Sequence, residues 1–370
     1  MANAIGIAQV IAPLQKPVVD VNRVDEVSLL PEMLVEGVAF THEQMIDRSM
    51  NALNRSFNML LGCCPKVPPL IQEPEVDGWK HFSLAHSAVE EFVSQVETRR
   101  VRWQIWEQQL RKSGVVLVHS QQCLPEQSRQ YVEAAQTQIL RDLKERHPPP
   151  AEIAEAFDQA ISSSDDFFEK LLELIDLIKN GYLAGYEHII AAYSDFFADF
   201  NKDITAKLKE WIQGANDGKE VKINAGEIRL ALQALINKYS HPNPASVLFP
   251  APGMGGATRE EAEKWRQALG LPASCLKQNA DGTYSVVMDL SPLTIMRDSL
   301  PPNVFWITWD TAKFQAWQTG FNAQEERMKN LLQSLTQKYS NANSYHDNFN
   351  KTLSSHLNQY ADMLKAMLNF

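Results

Sequence analysis

From Thr311 to Phe370, apolar residues return at three- and four-residue steps: Trp317, Phe321, Met328, Leu331, Leu335, Tyr339, Ala342, Tyr345, Phe349, Leu353, Leu357, Tyr360, Leu364 and Met367. Polar residues fill the positions between them, which is the stripe of a coiled-coil helix. No proline interrupts this stretch, and its one glycine, Gly320, lies near the start. At 1.5 Å per residue such a helix is about 90 Å long. It is too long to bury in a compact domain and requires a partner of similar length.

Residues 151–213 carry the matching pattern, with Ile153, Phe157, Phe168, Ile175, Tyr182, Tyr186, Ile189, Tyr193, Phe196 and Phe200 at helical spacing. Phe167, Leu172, Ile190 and Phe197 widen that stripe, so this helix is expected to make contacts on more than one side. Gly181 and Gly185 weaken it locally, by about 1 kcal/mol each against alanine, and allow a break or bend. The expected core of the pair is Ile175, Tyr186 and Ile189 against Leu331, Leu335, Phe349 and Leu353.

The fold class that follows is mainly α with a small α/β insertion, built on a long antiparallel central coiled coil. Its helices are residues 151–213 and 309–370. Upstream, Thr41 and Gln44 fit a capping box that opens a helix to about Leu61. A second helix is expected from about Leu84 to Lys112, with Gly114 as its stop. A shorter helix, about Pro125 to Arg146, runs up to the linker Pro148–Pro150. Residues 41–147 thus form an N-terminal helical hairpin. Residues 1–40, broken by Pro13, Pro17 and Pro31, form a flexible segment, and Pro65, Pro68, Pro69 and Pro74 make the hairpin's connection a loop. Between the long helices, residues 214–308 form the insertion. Helices are expected at Ala225–Tyr239, Thr258–Leu269 and from Pro292 to Leu300, and strands at Cys275–Gln278, Thr283–Leu290 and Val304–Trp309.

The net charge of −10 offers no basic stripe for a nucleic acid. No run of 18 apolar residues exists to span a membrane. No lysine or arginine precedes the apolar stretch at the N-terminus, so the charged region of a secretory signal is missing. The protein is expected to stay in the cytosol or to leave by another route. Cys63, Cys64, Cys123 and Cys275 form no CxxC pair and read as reduced thiols. The nine histidines show no metal-ligand motif such as HExxH, and no GxSxG is present. Trp103 with Trp106, and Tyr182 with Tyr186 and Tyr193, fall at helical spacing and read as packing rather than as a ligand platform. No catalytic, metal or cofactor residue stands out. A structural or interaction protein, not an enzyme, is expected.

The C-terminal helix carries more than a stripe. The runs 312–317 (AKFQAW) and 339–344 (Tyr339, Ser340, Asn341, Ala342, Asn343, Ser344), with Gly320-Phe321, Met328-Lys329-Asn330 and Leu353-Ser354-Ser355, resemble the type III secretion needle-tip proteins, the IpaD/SipD/BipD family. Tyr186-Glu187-His188, Trp211, Asn216-Asp217-Gly218, Lys264-Trp265 and Ser285-Val286-Val287 fall in that family's order. The likeness covers residues 170–360 and fades on both sides.

The resemblance implies the same architecture and a function. Such proteins leave a Gram-negative bacterium through the type III apparatus without a cleaved signal. They assemble in about five copies at the needle end. There they restrain secretion, respond to host cues such as bile salts and recruit the hydrophobic translocator. The N-terminal hairpin acts as a self-chaperone. The candidate partners are the needle subunit, the hydrophobic translocator and further copies of the chain, and a bile salt is the one candidate ligand. Needle contacts are expected on the polar face of the last turns, at Lys351, Asn358, Asp362 and Lys365. A bile salt would find its natural place in an apolar crevice where the insertion meets the coil. The rival reading is a cytosolic coiled-coil adaptor or secretion chaperone.

Overall fold

The computed structural model describes residues 40–63, 65, 78–162 and 166–369, and only the backbone at 78–90 and 93. The expected flexible segment, the prolines at 68–74 and the side chains of Leu84 and Val89 lie outside the described residues.

The N-terminal unit has three helices: α1 (His42–Leu61), α2 (Gly78–Gln122) and α3 (Glu126–Arg146). The Thr41–Gln44 capping box forms as expected. The expected stop of α2 at Gly114 is corrected, because the helix runs on to Gln122. Gly114 serves close approach instead: a Cβ there would sit 3.1 Å from the ring of Phe168. With α2 extended to 45 residues, about 67 Å, the hairpin is longer than expected, and α3 forms where the shorter helix was expected.

The C-terminal helix α11 (Thr311–Leu368) forms as one piece of 58 residues, about 87 Å. Asp310 caps it, its carboxylate accepting a 2.8 Å hydrogen bond from the backbone N–H of Lys313. Its expected partner is not one continuous helix. Residues 151–213 divide into α4 (Ala154–Ser162), α5 (Phe167–Asp176), a π-helical turn (Leu177–Leu183), α6 (Ala184–Asp203), a 3-10 turn (Thr205–Lys207) and α7 (Leu208–Trp211). The π turn contains Gly181 and ends two residues before Gly185, where propensity is weakest. Gly185 also admits the Trp265 ring, which a Cβ would meet at 2.8 Å.

Despite these breaks the segments follow α11 antiparallel. Phe167 meets the ring of Tyr360, Tyr182 that of Tyr345 and Phe200 that of Phe321. Tyr193 donates to the backbone carbonyl of Met328 at 3.4 Å. Ile175, Tyr186, Ile189, Leu335, Phe349 and Leu353 are all buried in this core. Leu331 is corrected to half-buried, with Leu332 in the buried position. The buried phase also widens at His346 and Asn350, because α2 covers a second side of α11.

The insertion holds two three-stranded antiparallel sheets. The first orders β1 (Ile212–Ala215), β2 (Glu220–Asn224) and β6 (Trp306–Asp310). The second orders β3 (Val247–Phe249), β5 (Tyr284–Val287) and β4 (Leu276–Gln278). Helices α8 (Ala225–Lys238), α9 (Arg259–Leu269) and α10 (Ser291–Asp298) pack around them. β4, β5 and β6 answer the expected strands, whereas β1, β2 and β3 had no clear pattern. Phe249 stacks on Trp265 at 4.7 Å between ring centroids, and Tyr186 lies 5.1 Å from the same indole. That aromatic group docks the insertion on α6. Among the described residues, no helix is long and apolar enough to cross a membrane.

Candidate functional site

The four polar residues expected to face a needle are not a uniformly solvated face. Of the four, only Lys351 is exposed with no hydrogen bond or ion pair among the described residues. Asn358 and Asn54 of α1 form a reciprocal amide pair: Nδ2 of Asn54 donates to Oδ1 of Asn358 at 2.8 Å, and Nδ2 of Asn358 returns a bond at 3.2 Å. Lys365 reaches Asp47 of α1 and Asp362 of its own helix, both at 2.8 Å. The physical reason is the path of α1, which runs antiparallel along the last turns of α11 and takes up their polar groups.

Helix α2 covers the next stretch of α11, including the 339–344 run. Tyr339 is buried with its ring edge-on to Phe92 at 5.3 Å, and Ala342 is fully buried. Asn343 accepts a hydrogen bond from Arg99, which also pairs with Asp347. Ser344 turns back to donate to the carbonyl of Ser340 at 2.9 Å, and Ser340 and Asn341 are exposed. The run is therefore a helix-packing segment in which Tyr339 and Ala342 are buried and Asn343 is tied to α2, while Ser340 and Ser344 face solvent.

At the centre of this seam lies a buried polar cluster. Arg99 is 4% exposed and His346 1%. The guanidinium of Arg99 lies 3.2 Å from Nδ1 of His346, whose ring packs against Trp103 at 4.4 Å. Burial holds the His346 imidazole below its ordinary pKa, and the Arg99 charge adds to this against the opposing Asp347 bond. Burial pushes the Asp347 carboxyl upward, but the His346 bond and the Arg99 charge together hold it below its ordinary value.

Two further ion pairs tie α2 to the opposite wall. Arg100 meets buried Glu187 at 3.0 Å, and Glu107 meets Lys179 at 3.4 Å. Burial raises the Glu187 pKa and lowers that of Lys179. The indole N–H groups of Trp103 and Trp106 are buried with no hydrogen-bond partner among the described residues. Each orphaned donor costs about 1–3 kcal/mol.

Helix α3 completes the wrap. Gln136 donates to the hydroxyl of Tyr360 at 2.8 Å, and His147 lies 2.7 Å from the hydroxyl of Thr352. The tail of α11 is thus enclosed by α1, α2 and α3 through buried apolar residues, among them Leu53, Leu117 and Val132, and through polar bonds that water could replace.

The crevice expected between insertion and coil is present. It measures about 210 Å³ and is lined by Tyr193, Leu271, Pro272, Pro292 and Leu331, with the Arg327–Asp289 pair at 2.8 Å. That is below the roughly 300 Å³ of an ordinary small-molecule pocket.

The fold also gathers three residues that spacing had left apart: His42, His119 and Cys123, with ligand atoms within 4.8 Å of one another. His119 and Cys123 stand four residues apart, which was the available signal.

Comparison with known proteins agrees with this architecture. Residues 84–368 match the family of type III secretion systems tip complex components. Over 211 residues the chain is 41% identical to the cell invasion protein SipD of Salmonella typhi, covering 56% of this chain and 62% of SipD. It thus spans less than two thirds of that relative. Over 237 residues it is 37% identical to the invasin IpaD of Shigella flexneri, covering 63% of this chain and 68% of IpaD. In fold it is similar to the crystal structure of the pathogenicity island 1 effector protein from Chromobacterium violaceum. The TM-score is 0.60 at 24% identity, over 87% of this chain and 100% of that one. With most of its length matched, its relatives agreed and its fold shared, the chain belongs to the tip complex components of type III secretion systems.

Proposed function

We propose that this protein is the needle-tip protein, or hydrophilic translocator, of a type III secretion system, exported without a cleaved signal and assembled on the needle end. One observation carries the mechanism: α1 holds the last turns of α11 through Asn54–Asn358 and Asp47–Lys365. The free chain keeps its needle-facing tail covered by its own N-terminal unit. Docking exchanges those bonds for bonds to the needle subunit and to neighbouring copies, about five in all. The exchange requires the two sets of contacts to be close in free energy. A seam of amide pairs, ion pairs and orphaned indoles meets that condition better than an apolar one.

In this reading α5, α6 and α11 act as the antiparallel coiled coil that carries the insertion outward, toward the hydrophobic translocator. The protein acts by binding rather than by catalysis. A bile salt lies across the mouth of the 210 Å³ crevice, because a steroid exceeds its interior, and Arg327 supplies the charge for the acid group.

Surface labelling tests the assignment. An antibody against the insertion is imaged on intact cells with and without the needle subunit. Puncta at needle ends that vanish with the needle are expected. A cytosolic signal in both strains would leave the adaptor reading in its place.

A further inference from the structure

His42 is the first residue of α1, His119 lies in the last turn of α2, and Cys123 follows that helix directly after Gln122. Four-residue spacing aligns His119 with Cys123 at the end of α2. The hairpin then brings His42 against them, with the two imidazole centroids 5.5 Å apart and their planes at 41°. The Nδ1 atom of His42 is buried and has no hydrogen-bond partner among the described residues. A buried ring nitrogen without a partner asks for one, and an ion is among the groups that supply it.

We propose that His42, His119 and Cys123 form a zinc site that pins the start of α1 to the end of α2. Two imidazoles and a thiolate are ligands that zinc favours, and the thiolate disfavours magnesium and calcium. Zinc bonds of about 2.0–2.3 Å place tetrahedral ligands about 3.5 Å apart. The present spacing of up to 4.8 Å closes to that by side-chain rotation. Cys123 is exposed and His42 half-buried, so the ion has a path in. Binding converts the Cys123 thiol to a zinc-bound thiolate and releases its proton to water. A water completes the fourth position. The C-terminal carbonyls of α2 favour a cation there, and Glu43 in the first turn of α1 offsets the opposing dipole of that helix.

A pinned α1 holds the covered tail of α11 more firmly; that consequence rests on the masking mechanism, but zinc binding itself does not.

The full chain is kept reduced with a phosphine, stripped of metal and titrated with zinc alone against a chromophoric chelator. Cobalt is then used as a spectroscopic substitute. One equivalent of zinc should bind, and cobalt should give a thiolate charge-transfer band in the near ultraviolet. C123S should abolish the band, and C123S and H42A should each weaken zinc binding by about tenfold or more. Amide exchange in the first turn of α1 should slow on zinc addition in the natural chain and not in H42A. Helix content by circular dichroism should stay unchanged in both variants.

No zinc binding at micromolar concentration would overturn the proposal. Binding unchanged by H42A would also overturn it, since the α2 pair alone or another set of ligands would then hold the ion. Needle docking is not read in this experiment, so a failed zinc site and a failed tip assignment remain distinguishable.

Discussion

The two sides of α11 are built from different chemistry. Toward α6 and the π turn before it the contacts are aromatic and aliphatic: Phe200 against Phe321, Tyr182 against Tyr345, with Phe196, Leu335 and Leu353 fully buried. Toward α1 and α2 the seam is mixed: an amide pair, the Arg99–Asp347–His346 cluster, and two indole N–H groups left without partners among the described residues. Apolar burial is lost outright when separated, whereas polar groups recover hydrogen bonds to water. Both sides bury apolar residues, among them Ile46 and Leu53 of α1 and Trp106 and Leu110 of α2, but the second also carries polar pairs that water can replace, which makes it the side suited to open.

The contrast implies graded effects. The largest belongs to the apolar side. Phe200→Ala should cost about 3–5 kcal/mol, read as a lower urea midpoint for the whole chain. A loss under 1 kcal/mol would mean the α6–α11 pair is not the permanent core.

Arg99→Ala comes next, at about 1.5–3 kcal/mol, because Asn343, His346 and half-buried Asp347 all lose their contact with the guanidinium. Its loss should show first as faster amide exchange in α2, with α6 unaffected. Replacing both Arg99 and Asp347 by leucine should instead be neutral or stabilising. That double variant should hold α2 closed and slow tip assembly.

An amide bond of the α1 seam is worth less. Asn54→Ala should cost about 1 kcal/mol and free the α1 helix for exchange.

Acid should act on the same seam. The folded-state pKa of His346 is depressed by burial, so below its ordinary value of 6.5 the unfolded chain takes up more protons than the folded one. Stability contributed by His346 is thus intact above 6.5 and declines as pH falls below it. The groups facing the ring are Arg99, Asp347 and Lys179. His147, also depressed by burial and by Arg146, acts in the same direction beside Thr352. Protection factors in α2 and α3, corrected for the intrinsic pH dependence of amide exchange, should therefore fall between about pH 7 and pH 5, and more than in α6. The smallest effect on stability should come from Lys351→Glu, within about 0.5 kcal/mol. Its effect should appear in needle docking alone.

Much of this architecture was legible in residue spacing. The stripe from Trp317 to Met367 announced α11, and the Thr41–Gln44 box announced α1, because local propensity and packing agree there. Gly114 misled, because its role is contact with Phe168 of a distant helix rather than termination. β1 and β2 were missed because around the turn at residues 214–218 their only large apolar residues are Ile212, Val221 and Ile223, interrupted by Gly214, Glu220 and Lys222. For the candidate site, residue type alone marked Asn358 and Lys365 as polar and near the end. It gave no sign that α1 takes up their side chains, as such pairing depends on tertiary docking. The His42–His119–Cys123 group escaped for the same reason, since one ligand comes from another helix.

The central claim is that α1 must leave the tail of α11 before the protein can dock. Cysteines placed at 54 and 358, with the four native cysteines replaced by serine, allow α1 to be tethered to α11 by a short bismaleimide. Tethered and untethered protein are then added to isolated needles and counted by electron microscopy. The account predicts that the tethered chain stays folded and leaves needle ends bare, while the untethered chain caps them. Equal capping by both would contradict it, because the tail could then be docked without being uncovered.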